Sequence, residues 1–440
     1  ARACDPKYMI TRSFWILSIL FASMVIVGLF TMNSTLIALS LPLNLYLAAA
    51  VFLAPGKQKL KASRTLSTDR ITQGMDVSVH IQVTNENARI EELHLSELGR
   101  FSAKALEGRV SEHSALAPGE TVEYEYSLQG WRGEYRFEGL LAQVNEPLGL
   151  FEIQEQLPAG GKVLVYPEVS SLKALPIRPP QTKGFSGPIP SRKSGTGMDF
   201  FGIRQYQLGD SLRHVNWQKS ARHSVDLFTN EYEQERIADV GLILDARPHC
   251  DIAFQGRRLF EYSVEATASL AEMFLGEGHC LSLLIYSVGI VRVFPGYGKV
   301  QQERVLKALA TADTGLNYAM EHLRYLPARF LPPRGQLVYI SPVSSGDLER
   351  IIRFRTQGYE ILVVSPNPMD FERWSETEPE KPDFQLAARF AQIERDLVFN
   401  RLRQAGIQIV NWHVDQPLST VLDQIRIQNS LRQRTIQVLQ

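Results

Sequence analysis

The stretch FGIRQYQLGDSLRHVNWQKSARH, beginning at Phe201, gathers side chains that could do chemistry. Asp210 and His214 are four residues apart, which on a helix would set a carboxylate beside an imidazole as an acid–base pair. No nucleophile, second carboxylate or metal-type cluster stands near them at a spacing that would complete a hydrolytic site, so no catalytic residue is assigned. The structural alternative is stronger. Gly209-Asp210 makes a turn in which Asp210 caps a helix running to about Arg222. On that helix Arg213 and Trp217 share a face, so the guanidinium stacks on the indole. Arg204, Tyr206, Gly209, Asp210, Arg213, Trp217 and Arg222 then form an interaction motif, a rigid joint whose exposed face is open to a partner.

The elements that must position this motif follow from the rest of the chain. Its 440 residues suffice for two or three domains with a sizeable core. Lys+Arg and Asp+Glu both number 47, a balance that argues against a dedicated nucleic-acid binder. Three scattered cysteines, Cys4, Cys250 and Cys280, make neither a disulfide framework nor a zinc knuckle and fit a reducing compartment. Residue 1 is not Met, and Met9 is a candidate natural start.

After a tail of residues 1–12, no charge occurs from Ser13 to Pro55. FWILSILFASMVIVGLF and TLIALSLPLNLYLAAAVFLAP each match the ~20 residues that cross a bilayer. They are separated by a short polar turn, which predicts a transmembrane hairpin over 13–55; a cleaved signal peptide would be about half as long. Lys7 and Arg12 precede it, and Lys57, Lys59, Lys61 and Arg64 follow it. By the positive-inside rule both flanks are cytoplasmic, which places the soluble part in the cytosol beneath a bacterial-type inner membrane.

Residues 63–168 alternate apolar and polar in runs such as DVSVHIQVTN and TVEYEYSLQG, bounded by Gly, Asn and Pro. About seven short strands predict an immunoglobulin-like β-sandwich. RGEY and EPLGLF read as a turn and a core anchor, Leu150-Phe151. Residues 169–197, rich in Pro, Gly and Ser, read as a linker, mobile or extended across the next domain. The motif segment 198–237 joins it to 238–440, where strands alternate with helices, predicting a mostly parallel Rossmann-like α/β sheet covered on both faces. In such sheets the site lies beyond the carboxyl ends of the strands. Asp245 ends the first strand and Ser341 a later one. The remaining histidines show no ligand spacing, and ETEPEKPD at 376–383 is a solvated loop. The C-terminal run VLDQIRIQNSLRQRTIQVLQ has roughly helical apolar spacing; it packs on the sheet or holds a second subunit.

GMDFFGIRQYQLGDSLRHVNWQKSAR, then NEYEQE and VGLILDAR, resemble the domain-of-unknown-function 58 family, as do RGEY, EPLGLF and the hairpin. The Gly-Asp-x-x-Arg-x-x-x-Trp core is the specific part. The resemblance implies a C-terminal von Willebrand factor A-like domain and association with a MoxR-type AAA+ ATPase, often beside a transglutaminase-like membrane protein, with no settled enzymatic activity. Von Willebrand A domains hold a divalent cation such as Mg²⁺ through an Asp-x-Ser-x-Ser loop plus a distant Thr and Asp. Here Asp245 matches and Thr314 can match, but Arg247 and His249 replace both serines, and Pro342 follows Ser341 where an Asp is expected. The degenerate set Asp245, Thr314 and Ser341 makes a poor Mg²⁺ site, and Arg247 can pair with Asp245 in the cation's place. No cofactor is therefore expected. The resulting expectation is a membrane-anchored, cytosol-facing adaptor that binds an AAA+ ATPase and an envelope client in a chaperone-like or assembly role, and no enzyme. The alternatives are a metal-dependent enzyme or metal-gated binder at Asp245, and a scaffold that self-associates through the hairpin.

Overall fold

The computed structural model of the chain describes residues 7–54, 59–100, 113–145, 148–175, 177, 182–183, 189–223, 226–254, 256–287, 289–315, 334–375 and 382–424. Lys57, most of the acidic loop and the C-terminal run from residue 425 lie outside them. The chain divides into two compact units, Ala1–Tyr166 and Pro167–Gln440.

The first unit opens with strand β1 (Lys7–Ile10), where a plain tail was expected, and then helices α1 (Arg12–Phe30) and α2 (Ser34–Leu53). The helices are joined by a tight turn in which Asn33 caps α2 by accepting from the Thr35 amide at 3.1 Å. Gly28 lets them approach closely, since a Cβ there would lie 2.8 Å from Ile37 Cγ1. Both are long and apolar enough to cross a membrane. Their outer side chains, such as Phe30 (88 % exposed) and Phe52 (94 %), have no protein cover.

Nine further strands follow: β2 (Leu60–Leu66), β3 (Arg70–Thr72), β4 (Asp76–Asn85), β5 (Ile90–Arg100), β6 (His113–Leu116), β7 (Thr121–Gln129), β8 (Gly133–Asn145), β9 (Phe151–Leu157) and β10 (Gly161–Tyr166). One sheet is ordered β2-β4-β7; the other runs β1-β9-β8-β10-β3, with β5 and β6 beyond β8. Strand β4 shows why they stack: Val77, Val79, Ile81 and Val83 point inward by strict alternation. They meet Leu93, Leu95, Phe137, Leu140 and Val163 of the other sheet in one core. The predicted anchor Leu150-Phe151 is not part of that core; it packs against the hairpin instead. Leu150 packs with Leu47, Ala50, Phe14 and Leu17, Phe14 and Phe151 have ring centroids 5.2 Å apart, and Tyr46 donates to the Leu148 carbonyl at 3.1 Å. Arg64, counted above among the flanking cations, is instead buried as the ion-pair partner of Glu97, its guanidinium 4.2 Å from the Phe137 ring centroid.

In the second unit, β11 (Thr182–Lys183), β12 (Ile189–Gln205), α3 (Trp217–Ser220) and β13 (Phe228–Asp245) precede a small hairpin, β14 (Ala253–Phe254) and β15 (Arg257–Arg258). Then come α4 (Leu259–Gly276), β16 (Cys280–Tyr286), β17 (Ile290–Gly296), α5 (Gly298–Ala310), β18 (Gln336–Ile340), α6 (Leu348–Thr356), β19 (Glu360–Pro366), α7 (Pro368–Ser375), α8 (Pro382–Gln404) and β20 (Gln408–Trp412). The sheet order is β17-β16-β13-β18-β19-β20, parallel except for edge strand β17. Both faces are covered, as the alternation inside β13 requires. Leu242 and Leu244 pack with Phe260, Val264, Val305 and Leu309, and Ile243 packs on the other side with Ile351, Val398 and Phe399.

Of the segment predicted as a linker, the first residues lie on the second unit's core and the last form a strand. Val169, Leu172 and Leu175 pack against the α4-side core, and the Ser170 amide donates to Ser269 Oγ at 2.9 Å. Residues 189–197 belong to β12, which pairs with β13 as a long two-stranded arm. Register shifts at Ser191/Ser194, Gly195/Phe200 and Phe200/Gly202 break the alternation that would have marked a strand, and an edge strand tolerates Pro190.

Candidate functional site

Two places gather the residues singled out by sequence. The first is the switch point of the parallel sheet. Strand β13 has β16, the next sheet strand in sequence, on one side and β18 on the other, so the strand order reverses at its carboxyl end. Asp245 is the last residue of β13 and is 1 % exposed. Arg247 turns back onto it: Nε donates to Asp245 Oδ1 at 2.9 Å and Nη2 to Oδ2 at 2.6 Å. Ser341 Oγ donates to the same Oδ2 at 2.7 Å, and the Tyr339 hydroxyl donates to it at 3.1 Å. On its far side Arg247 meets a second buried carboxylate, with Nη1 2.9 Å from Asp347 Oδ1 in an ion pair. Asp347 is fixed by a capping box, its Oδ2 accepting from the Ser344 amide and hydroxyl.

These contacts set the electrostatics. Burial by itself would raise the Asp245 pKa, but the bonds from Arg247 and His249 outweigh it and hold the carboxyl well below the usual carboxylate range. Burial would likewise lower the Arg247 pKa, and the bond to Asp245 more than reverses that, so this guanidinium is permanently charged. Burial, reinforced by the charges of Asp245 and Asp347, pushes the Tyr339 hydroxyl up, which keeps it a donor. The Cys250 thiol is raised well above its ordinary value by burial, then by the Asp245 charge.

The set does not fit a hard divalent cation. Both Asp245 oxygens are bonded to a guanidinium that stands where the first loop serine would be. Thr314 is engaged elsewhere, its hydroxyl donating to Asp251 Oδ2 at 2.9 Å. Of Asp245, Thr314 and Ser341, only Asp245 and Ser341 are in direct contact. A different donor set does converge: Asp245, His249 and Cys250 offer an oxygen, a nitrogen and a sulfur within 4.8 Å of one another. His249 Nε2 lies 3.4 Å from Asp245 Oδ2 and 3.6 Å from Cys250 Sγ. Sequence reading missed Asp347, although SSGD carries the capping-box pattern. It also missed Tyr339 and Arg395. Arg395, 7 % exposed, donates to the Pro342 carbonyl at 2.8 Å and to Ser365 and Asn411 at 3.0 Å, tying together the ends of three parallel strands.

The second place is the tip of the β12–β13 arm, which carries the motif. No single helix runs from Asp210 to Arg222 there. Leu212–His214 form one turn of 3-10 helix, Val215 bridges to Thr229, and Asn216 caps the one-turn α3 by accepting from the Lys219 amide at 2.9 Å. The strand bridge at Val215, which is 6 % exposed, overrides the local helix signal. Arg213 and Trp217 therefore do not share a helix face, and Trp217 is 65 % exposed. Asp210 caps nothing; it closes its own turn. Its carboxylate accepts from the Gln207 amide at 2.9 Å and takes both terminal nitrogens of Arg204 at 2.7 Å. Arg204 Nε reaches Glu231 on the opposite strand at 2.7 Å, and the Tyr206 hydroxyl donates to the Asp210 carbonyl at 3.0 Å. Gly209, at φ +109°, supplies the left-handed turn. The Arg204 guanidinium, followed by the Gln207 amide, lowers the Asp210 pKa. Around this brace Leu208, Leu212 and Trp217 stand exposed, with Arg213 and Arg222 beside them.

Residues 202–372 match the family model described as "Protein of unknown function DUF58". The chain is 29 % identical over 210 residues to "Uncharacterized protein YeaD" of Bacillus subtilis (strain 168), covering 46 % of this chain and 50 % of that protein. It thus spans about half the length of this curated relative. Among solved structures, the sporulation control protein Spo0M of Bacillus subtilis aligns at a TM-score of 0.16 and 14 % identity, over 24 % of this chain and 49 % of that one. The cupredoxin domain of amoB from Nitrosocaldus yellowstonii aligns at 0.19 and 14 %, over 29 % and 99 %. Neither alignment bears on fold or function at these scores.

Proposed function

We propose that this chain is a membrane-anchored adaptor, with an immunoglobulin-like β-sandwich and a von Willebrand A-like α/β domain facing the cytoplasm of a bacterial-type inner membrane. The arm tip is its docking surface for a MoxR-type AAA+ ATPase, and an envelope client, such as a transglutaminase-like membrane protein, is its second partner. The observation that carries this reading is the tip itself. Leu208, Leu212 and Trp217 are presented to solvent by a turn cross-braced through Arg204, Asp210 and Glu231. Rigid aromatic and apolar residues presented in this way are what binding anchors require. Membrane anchoring is supported by the two uncovered helices, whose flanking strands β1 and β2 both belong to the first unit, so that both ends of the hairpin emerge on one side. The doubly wound sheet order and the covering of both faces support the α/β assignment.

The test is binding of the detergent-solubilised full chain to a purified MoxR-type ATPase. Trp217→Ala with Leu212→Ala is expected to weaken binding by about thirtyfold, the loss of one ~2 kcal/mol anchor, while Asp245→Asn leaves it unchanged. Affinity indifferent to the tip, or no binding at all, refutes the reading. A second reading, a metal-gated binder at the Asp245 edge, is favoured by the convergence of Asp245, His249 and Cys250. It requires one tightly bound divalent ion per chain that Asp245→Ala abolishes.

A further inference from the structure

Helix α8 has two apolar faces. Val398, Phe399 and Leu402 are buried against the α6-side core. Leu386, Phe390, Ile393 and Leu397 are 56, 66, 57 and 58 % exposed. At about 100° per residue the exposed four fall in one narrow stripe, diametrically opposite the buried three. A helix on the surface of a globular unit needs one apolar stripe, facing its core. A second stripe of large side chains marks an interface.

The spacing and flanks of the stripe say what covers it. Steps of four, three and four residues are the seam of a two-stranded helix pair, with Leu386 and Ile393 at d and Phe390 and Leu397 at a. Arg389 and Asp396 then occupy g, and Glu394 and Arg401 occupy e. In a parallel pair each g residue faces the e residue five positions further along the other helix. Arg389 faces Glu394, and Asp396 faces Arg401, so both contacts join opposite charges, and two-fold symmetry repeats them. An antiparallel pair centred on the same stripe would keep only Arg389 against Asp396 and leave Glu394 beside the uncharged Ala387, half the opposite-charge contacts of the parallel pair. A lipid surface would call for a basic flank, whereas these four charges sum to zero. We infer that α8 is a self-association surface, through which two copies of this chain pair side by side in parallel. This goes beyond the adaptor reading and does not depend on it. It also differs from pairing through the hairpin, because the specificity lies in the second unit.

The experiment uses the full chain in its membrane, where tethering raises the effective concentration of a seam this short. Leu386→Cys is introduced into a Cys4→Ser background and oxidised. In a parallel pair the two copies of position 386 are adjacent and cross-link; in an antiparallel pair they are roughly 16 Å apart along the axis, given the 1.5 Å rise per residue, and do not. Adding Glu394→Arg is expected to cut cross-linking about tenfold by making attractive contacts repulsive. Further adding Arg389→Glu is expected to restore it, an outcome that neither a lipid surface nor a different partner protein would give. These positions are exposed, so the thermal melt of each variant should match that of its parent. No cross-link at position 386, or a cross-link indifferent to the charge reversal, overturns the proposal.

Discussion

Replacing Arg247 by Met should turn a strongly stabilised carboxylate, Asp245, into a liability. Asp245 and the Arg247 side chain are 1 % and 11 % exposed, so water compensates little for the lost guanidinium. Ser341 and Tyr339, both neutral donors, would remain on Asp245, with His249 at 3.4 Å, but none replaces the two-pronged guanidinium. Leaving one partner of a buried pair uncompensated costs ~3–5 kcal/mol. For a domain of this size, a melting midpoint falls by about 2–4 °C per kcal/mol, so a drop of roughly 10 °C is expected. The pH dependence gives a sharper signature. In the wild type the Asp245 pKa is depressed, so its contribution is fully present above the ordinary carboxylate range and is lost only as pH falls through that lowered value. Without Arg247 the largest lowering contribution is gone while burial still acts to raise the carboxyl, so Asp245 takes up its proton at a higher pH than in the wild type. The variant's deficit should then be largest near neutrality and shrink as pH falls and the buried acid takes up its proton. Thermal unfolding of the full chain in detergent, from neutral to acid pH, reads both effects. The double variant Asp245→Leu/Arg247→Met should recover the share of the loss due to Asp245 but not the share due to Asp347, which is left with Arg350 at 3.8 Å as its countercharge. An Arg247→Met chain that melts with the wild type at every pH would refute the reasoning and show that Tyr339, Ser341 and His249 satisfy Asp245 without the guanidinium.

Other perturbations follow from the same geometry. Arg395→Met strips donors from the Pro342 and Ser365 carbonyls and from Asn411, and should cost about 2–4 kcal/mol in denaturant unfolding. Leu150→Ala, at a 2 % exposed site against Leu47 and Ala50, should cost about 2–5 kcal/mol of first-unit stability, read by the same means. Because the Asp210 pKa is lowered by Arg204, the brace at the arm tip should persist above the ordinary carboxylate range and weaken as pH falls below about 4. Hydrogen-exchange protection of the Tyr206 amide should report this, and Asp210→Asn should abolish the pH step. Gly209→Ala places a Cβ at φ +109° and should cost about 1 kcal/mol of local stability at the tip, visible as faster exchange.

Much of this architecture was legible because it repeats. The inward valines of β4, the uncharged run through both helices and the strand–helix alternation after residue 238 are periodic, and period follows directly from burial. Asp245 could be located because strands of a parallel sheet end at its functional edge, and Arg247 stood out as a cation where a hydroxyl was expected. What escaped was non-local. The pairing of β1 with β9 joins Tyr8 to Ile153, and no spacing within either segment encodes it. Arg395 looks like any charge on a long helix until carbonyls from separate strand ends meet it. The expected helix after Asp210 failed for a related reason: the Val215–Thr229 bridge is made by the opposite strand of the arm, which local propensity cannot see.

The continuity of β13 has a mechanical consequence. One uninterrupted strand runs from Phe228 near the tip to Asp245 at the switch point. Its inner half, Asp239–Asp245, lies between Cys280–Tyr286 on one side and Gln336–Ile340 on the other. A pull on the arm along its length would load these backbone hydrogen bonds in shear, sharing the force among them instead of opening them one at a time. A motor grasping the tip would therefore tow the whole second unit rather than unravel it, and the arm would serve as a tow bar rooted in the middle of the sheet.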